Sequence, residues 1–165
     1  MPQVLKHLLS ENLSSLPPGR QAEHAGDGVL REKLERLIAE LGLRRRVFLG
    51  GVRDDIHDIL QAIDLYVQSS IMEGLGTSIL DAMAARKPVV ATRAGGIPEM
   101  IRDGIDGRLV PPADPIALAE AIEELLLDPQ KRVEFGSKGR EKVERDFSHK
   151  RMVRDTLAVY QEIMS

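Results

Sequence analysis

Cysteine is missing altogether from the 165 residues. That excludes a disulfide scaffold, a Cys-ligated zinc or iron–sulfur centre and a thiol nucleophile. Tryptophan is also absent, and aromatic residues make up only 3% of the chain. Charge is nearly balanced, with 23 Lys plus Arg against 26 Asp plus Glu, for a net charge of −3. Few aromatics and no excess of positive charge argue against a strongly electrostatic nucleic-acid binder with stacking platforms, leaving room only for a local basic patch. No apolar run approaches the ~18 residues of a membrane span. The start, Met1-Pro2-Gln3-Val4-Leu5-Lys6-His7, lacks the plan of a signal peptide and soon reaches Glu11 and Asn12. The expectation is a soluble, cytoplasmic protein. His7, His24, His57 and His149 show no metal-ligand spacing and read as surface or helix-end residues.

What is present suits one globular domain, with 42% hydrophobic and 30% charged residues. A chain of this length buries roughly 68–70% of its surface. Residues 1–25 read as a weakly specified extension: Val4, Leu5, Leu8 and Leu9 make a short apolar stripe that Ser14-Ser15-Leu16-Pro17-Pro18-Gly19 ends, and Arg20 to Ala25 carries no strand pattern. The domain is expected over 26–165. Gly26-Asp27-Gly28 is a turn, and Leu30, Leu34, Leu37, Ile38 and Leu41 recur at helical spacing until Gly42. Short apolar strands are predicted at 47–49, 65–67, 88–91 and 108–110, with helices between them. Asp54 is the expected cap of the first intervening helix, and a short helix after Gly95-Gly96-Ile97-Pro98 is expected to end near Asp103-Gly104. Three helices, about 115–127, 129–145 and 149–164, close the chain. Short buried strands alternating with helices predict an α/β fold, a Rossmann-like doubly wound parallel sheet with C-terminal helices.

In open parallel sheets, ligands bind beyond the carboxyl ends of strands, at helix N-termini. The loop Ser69-Ser70-Ile71-Met72-Glu73-Gly74-Leu75-Gly76-Thr77-Ser78 occupies such a place between strand 65–67 and the next helix. Two glycines let backbone approach a ligand, and the following helix start offers N–H groups and a positive dipole end to an anion. Glu73 precedes the turn and Asp81 follows it. Carboxylates only accept hydrogen bonds, so their presence beside an anion site suits a ligand that also carries hydroxyl donors, such as a sugar. Taken alone, a Gly-x-Gly turn before a helix is also an ordinary turn. Gly95-Gly96 reads either as pocket lining or as a simple turn, Met83 and Met100 as core fillers, and Arg53 as a solvated loop residue. Arg44-Arg45-Arg46 suits the negative end of a helix. Nine basic residues against six acidic ones over 128–155 read as solvated helix faces.

The segment from Glu73-Gly74-Leu75-Gly76-Thr77-Ser78-Ile79-Leu80-Asp81-Ala82-Met83-Ala84-Ala85 through Pro88-Val89-Val90-Ala91-Thr92 resembles the signature of retaining nucleotide-sugar glycosyltransferases of the large group called family four, which share the GT-B fold. Gly26-Asp27-Gly28, Val47-Phe48-Leu49-Gly50, Gly95-Gly96-Ile97-Pro98-Glu99 and the stretch Asp103 to Pro112 are in register, so the resemblance covers about residues 26 to 163. It implies that Glu73, the expected catalytic-site residue, contacts the donor sugar. Backbone N–H groups around Gly74, Leu75, Gly76 and Thr77 would hold the diphosphate, Asp81 the ribose hydroxyls, and the backbone at Gly51-Val52 would face the base. The group usually has Glu where Asp81 stands, so the carboxylate here is one methylene shorter.

The group also supplies an Arg and a Lys ahead of the Gly-Asp-Gly turn, where this sequence has only Lys6 and Arg20 in no matching context. An N-terminal acceptor domain is expected to be missing. The chain therefore reads as a donor-binding half that transfers a hexose from a uridine or guanosine diphosphate sugar only with a partner domain. No metal or cofactor is expected besides the nucleotide sugar, and neither nucleic acid nor membrane is an expected partner. The alternatives are a non-catalytic nucleotide-sugar-binding or self-associating module, or another GT-B enzyme such as a nucleotide-sugar epimerase.

Overall fold

The computed structural model describes residues 21–25 and 28–164; the stripe of Val4 to Leu9, Lys6, Arg20 and the pair Gly26-Asp27 lie outside them. In chain order the elements are β1 (Ala22–Ala25), α1 (Arg31–Glu40), β2 (Val47–Gly51), α2 (Ile56–Ala62), β3 (Tyr66–Gln68), α3 (Thr77–Ala84), β4 (Val89–Thr92), α4 (Ile97–Met100), β5 (Arg108–Val110), α5 (Pro115–Leu127), α6 (Pro129–Asp146) and α7 (His149–Met164). All strand pairs are parallel. They form two ladders, β1-β2 and β3-β4-β5. The expected α/β class of Rossmann-like type is present.

β4 is the hub, and all four of its residues are buried between β3 and β5. The side-chain alternation of a strand sends Val89 and Ala91 to one face, where they pack with Ile79, Met83, Ile97 and Leu109. It sends Val90 to the other face, with Val110, Leu118, Ile122, Leu125 and Phe135. Helices thus cover both faces of the ladder, as continuous apolar strands require. The β1-β2 ladder has its own small core of Leu34, Ile38, Leu43 and Val47. α6 lies so close to the turn after α3 that a Cβ on Gly136 would fall 2.2 Å from the Arg86 carbonyl oxygen. Met83 and Met100 are buried core residues, as expected.

Three local expectations change. Ala22–Ala25, read as part of a strandless extension, pairs with Val47–Gly51, and the Ala22 N–H donates to the Arg46 carbonyl at 2.8 Å. Asp54 does not cap α2; Asp55 occupies the N-cap position, and its carboxylate accepts from Arg53 Nε at 2.7 Å instead of capping the helix. α4 stops at Met100 rather than near Asp103-Gly104. The buried Asp106 carboxylate accepts from the Arg102 N–H at 2.6 Å and draws the chain out of the helix.

α7 differs from every other long helix. It has no buried residue, and Met152, Val153, Leu157, Val159, Tyr160, Ile163 and Met164 all stand exposed. No described helix is long and apolar enough to cross a membrane.

Candidate functional site

The loop between β3 and α3 is fixed at both ends by β4 and the turn after it. Thr92, buried at the end of β4, donates from Oγ1 to the Ser70 carbonyl at 2.6 Å. The Gly96 N–H donates to the Gly74 carbonyl at 3.0 Å. Gly95 has φ +51, and a Cβ there would lie 1.8 Å from the Glu73 carbonyl oxygen. The Gly95-Gly96 turn is therefore backbone packed on backbone, and only the absence of side chains permits the approach.

Glu73 is half-buried and its carboxylate is held by three donors. Gln68 Nε2 and Ser70 Oγ donate to its Oε2 at 3.0 and 2.9 Å, and the Gly74 N–H donates to its Oε1 at 3.1 Å. Behind it, the Tyr66 hydroxyl donates to Gln68 Oε1 at 2.7 Å. Burial, then the negative charges of Glu73 and Asp81, raise the Tyr66 phenol above its ordinary pKa, while a hydrogen bond with Ser78 opposes them. Both carboxylates singled out in the sequence thus lie near enough to one phenol to disfavour its ionised form.

Gly76 stands at the N-cap of α3 with φ 65, and no side chain caps the helix. Among the described residues, no hydrogen bond engages the amides of Leu75, Gly76 or Thr77. These donors and the positive helix end form an anion-accepting turn. The Gly74 amide is already engaged by Glu73. Asp81 is exposed on α3, just past its first turn. Ile71, Met72 and Leu75 are exposed apolar residues on the same loop.

Gly51 and Val52 lie elsewhere, at the carboxyl end of β2 in the other ladder, with Val52 80% exposed. Arg31 flanks them: its Nη1 lies 3.7 Å from where a Gly51 Cβ would be, and its Nη2 donates to the Leu49 carbonyl at 3.3 Å. Arg53 is paired with Asp55. His57 and His149 are exposed, and no group of three His, Asp or Glu among the described residues could hold a metal ion.

The sequence did not single out Tyr66 and Gln68. Spacing of i and i+2 on a strand puts the two polar-tipped residues on one face, but that the face meets Glu73 is visible only in the fold.

Comparison with known proteins places this geometry in a family. The family described as glycosyl transferases group 1 matches residues 6–142, beginning earlier and ending sooner than the resemblance seen in the sequence. The chain is 37% identical over 157 residues to a putative glycosyltransferase, EpsD, of Bacillus subtilis, covering 95% of this chain and 40% of that protein. The chain thus spans about two-fifths of the length of that curated relative. HepE from Anabaena, solved in complex with UDP, superposes with a TM-score of 0.82 at 31% identity, over 96% of this chain and 46% of that one. The C-terminal domain of a group 1 glycosyl transferase, LpcC of Francisella tularensis, superposes with a TM-score of 0.77 at 28% identity, over 90% of this chain and 77% of that one. The matched span contains both parallel ladders, the Glu73 loop and the uncapped helix that follows it, and on that match the chain belongs to the glycosyl transferases group 1 family, as a Rossmann-like C-terminal domain of GT-B type.

Proposed function

We propose that this domain binds the donor of a retaining hexosyltransferase, a nucleoside-diphosphate sugar, and that transfer to an acceptor hydroxyl needs surfaces this chain does not carry. The observation that carries the reading is the joint placement of Glu73, the uncapped start of α3 and Asp81 around one loop. The amides of Leu75, Gly76 and Thr77 receive the diphosphate. As the glycosidic bond breaks, negative charge grows on that diphosphate, and fixed N–H groups stabilise it without reorganising. The Gly74 N–H joins them only if Glu73 releases it. Glu73 accepts hydrogen bonds from sugar hydroxyls, Asp81 from the ribose, and the backbone at Gly51-Val52 faces the base. The UDP complex of HepE supports a uracil nucleotide as the first donor to test, with guanosine diphosphate sugars second. The reading includes no metal or cofactor, and it places the protein in the cytoplasm.

A second reading is a self-associating module that binds without turnover, with the exposed apolar stripe of α7 as the contact surface for a second copy of the chain.

Calorimetric titration with uridine, guanosine and adenosine diphosphate sugars tests both readings. Binding of at least one of them is expected. Glu73→Ala should weaken sugar-nucleotide binding by about tenfold or more while sparing the sugar-free nucleoside diphosphate, since hydrogen bonds to a charged group contribute roughly 1.5–3 kcal/mol. Asp81→Ala should weaken both ligands alike. Binding to none of the three sugars overturns the donor-site reading. Robust transfer by the isolated chain overturns the need for further surfaces.

A further inference from the structure

We infer that Tyr66 and Gln68 are positioning residues that strengthen the site's grip on the donor sugar by fixing the Glu73 carboxylate. The inference rests on the donor-binding reading above and deepens it.

The argument runs outward from Glu73. An ionised carboxylate offers acceptors only, so the group of Gln68 that meets Glu73 Oε2 at 3.0 Å must be its NH2. That leaves Gln68 Oε1 for Tyr66, whose hydroxyl must then be the donor at 2.7 Å. The second N–H of Gln68 meets Ser70 Oγ at 2.9 Å, and Ser70 spends its own proton on Glu73 Oε2 at 2.9 Å. Every proton in the chain from Tyr66 to Gln68 and Ser70 to Glu73 has one consistent direction. The chain of donors ends on Oε2 and leaves Oε1, aimed toward Gly74, as the oxygen better placed to receive a ligand hydroxyl.

Tyr66 and Gln68 sit on β3, paired with the buried strand β4 at Val89 and Ala91, so the relay has a rigid base. Loss of the Tyr66 hydroxyl would free the Gln68 amide to turn, and its oxygen would then oppose Glu73. Rotamer freedom returned to Glu73 weakens recognition of sugar hydroxyls specifically, because the diphosphate is held by backbone amides that the relay does not touch.

The test is a double-mutant cycle on the full chain, read by calorimetry with UDP-glucose and with UDP. Tyr66→Phe should lower UDP-glucose affinity by about fivefold, the fold-change of one neutral hydrogen bond, and Gln68→Leu, which removes the bond to the carboxylate itself, by about tenfold or more, while each changes UDP affinity by less than about twofold. Gln68→Glu, which places a like charge against Glu73, should lower it further. In the Glu73→Ala background, Tyr66→Phe and Gln68→Leu should have no further effect on UDP-glucose. If Gln68→Leu fails to fold, Tyr66→Phe, which removes a single oxygen, carries the cycle. Equal losses for UDP and UDP-glucose, or effects that persist without the Glu73 carboxylate, overturn the positioning role and leave the donor-binding reading standing. Where the wild-type chain binds a guanosine or adenosine diphosphate sugar instead, the cycle is run with that sugar and its nucleoside diphosphate; a wild-type chain that binds none of the three overturns both readings.

Discussion

The Tyr66 phenol shows how one residue can report on the site without a ligand present. Burial and the facing charges of Glu73 and Asp81 raise its pKa in the folded state, while the unfolded value stays near 10. The folded protein therefore holds the phenolic proton more tightly than the unfolded chain does. The stability this contributes is complete below about pH 10 and is lost as pH climbs through the raised value. Denaturant titrations should show stability falling above about pH 10, and Tyr66→Phe should remove that part of the fall; an unchanged fall in the variant would contradict the assignment. Residue by residue, Glu73, Asp81 and the glycines were legible in the sequence because turn chemistry and charge are local. Tyr66 and Gln68 were not, because a polar-tipped residue on a short strand gains its meaning only from what it faces. The engagement of the Gly74 amide by its neighbour's carboxylate was equally invisible, since it depends on a side-chain rotamer.

At the scale of elements, the closing helices were readable to within a residue. Asp114-Pro115 and Asp128-Pro129 each combine a capping carboxylate with a proline at the first helical position, and both carboxylates do cap, accepting from Ala117 N–H at 3.0 Å and Lys131 N–H at 2.9 Å. Asp128→Ala should cost about 1 kcal/mol, measurable as a shift in urea midpoint, whereas Asp54→Ala, at a residue that does not cap α2, should cost less than about 0.5 kcal/mol. β1 escaped notice because Ala22-Glu23-His24-Ala25 has no apolar run to bury. Its strand character comes from the backbone ladder with β2, pairing Ala22–Ala25 with Val47–Gly51. α4 was predicted too long for the opposite reason: a local helical pattern lost to the Asp106 carboxylate, a partner further along the chain. Strand pairing and long-range hydrogen bonds are the information that a pattern of residue types does not hold.

Considered whole, the molecule divides into a cored α/β body and a helix that buries none of its residues and is tied to α6 by the Arg151–Asp146 pair at 3.0 Å. α7 has no buried residue, so its stability rests on its own backbone hydrogen bonds and on pairs such as Arg151–Asp155 at 3.2 Å, each contributing only a few tenths of a kcal/mol. An isolated helix of about this length is marginal in water. Amide hydrogen exchange should accordingly find 152–164 the least protected helical stretch, with α3 and β4 the most; strong protection throughout α7 would contradict the exposure seen here. A chain ending after Phe147 should unfold at the same denaturant midpoint as the intact one. The stripe along α7 is free energy not yet released. At roughly 25 cal/mol for each Å² withdrawn from water, whatever complementary surface settles on it will be fastened mainly by that helix. The body would then keep its donor loop uncommitted while the grip is made elsewhere.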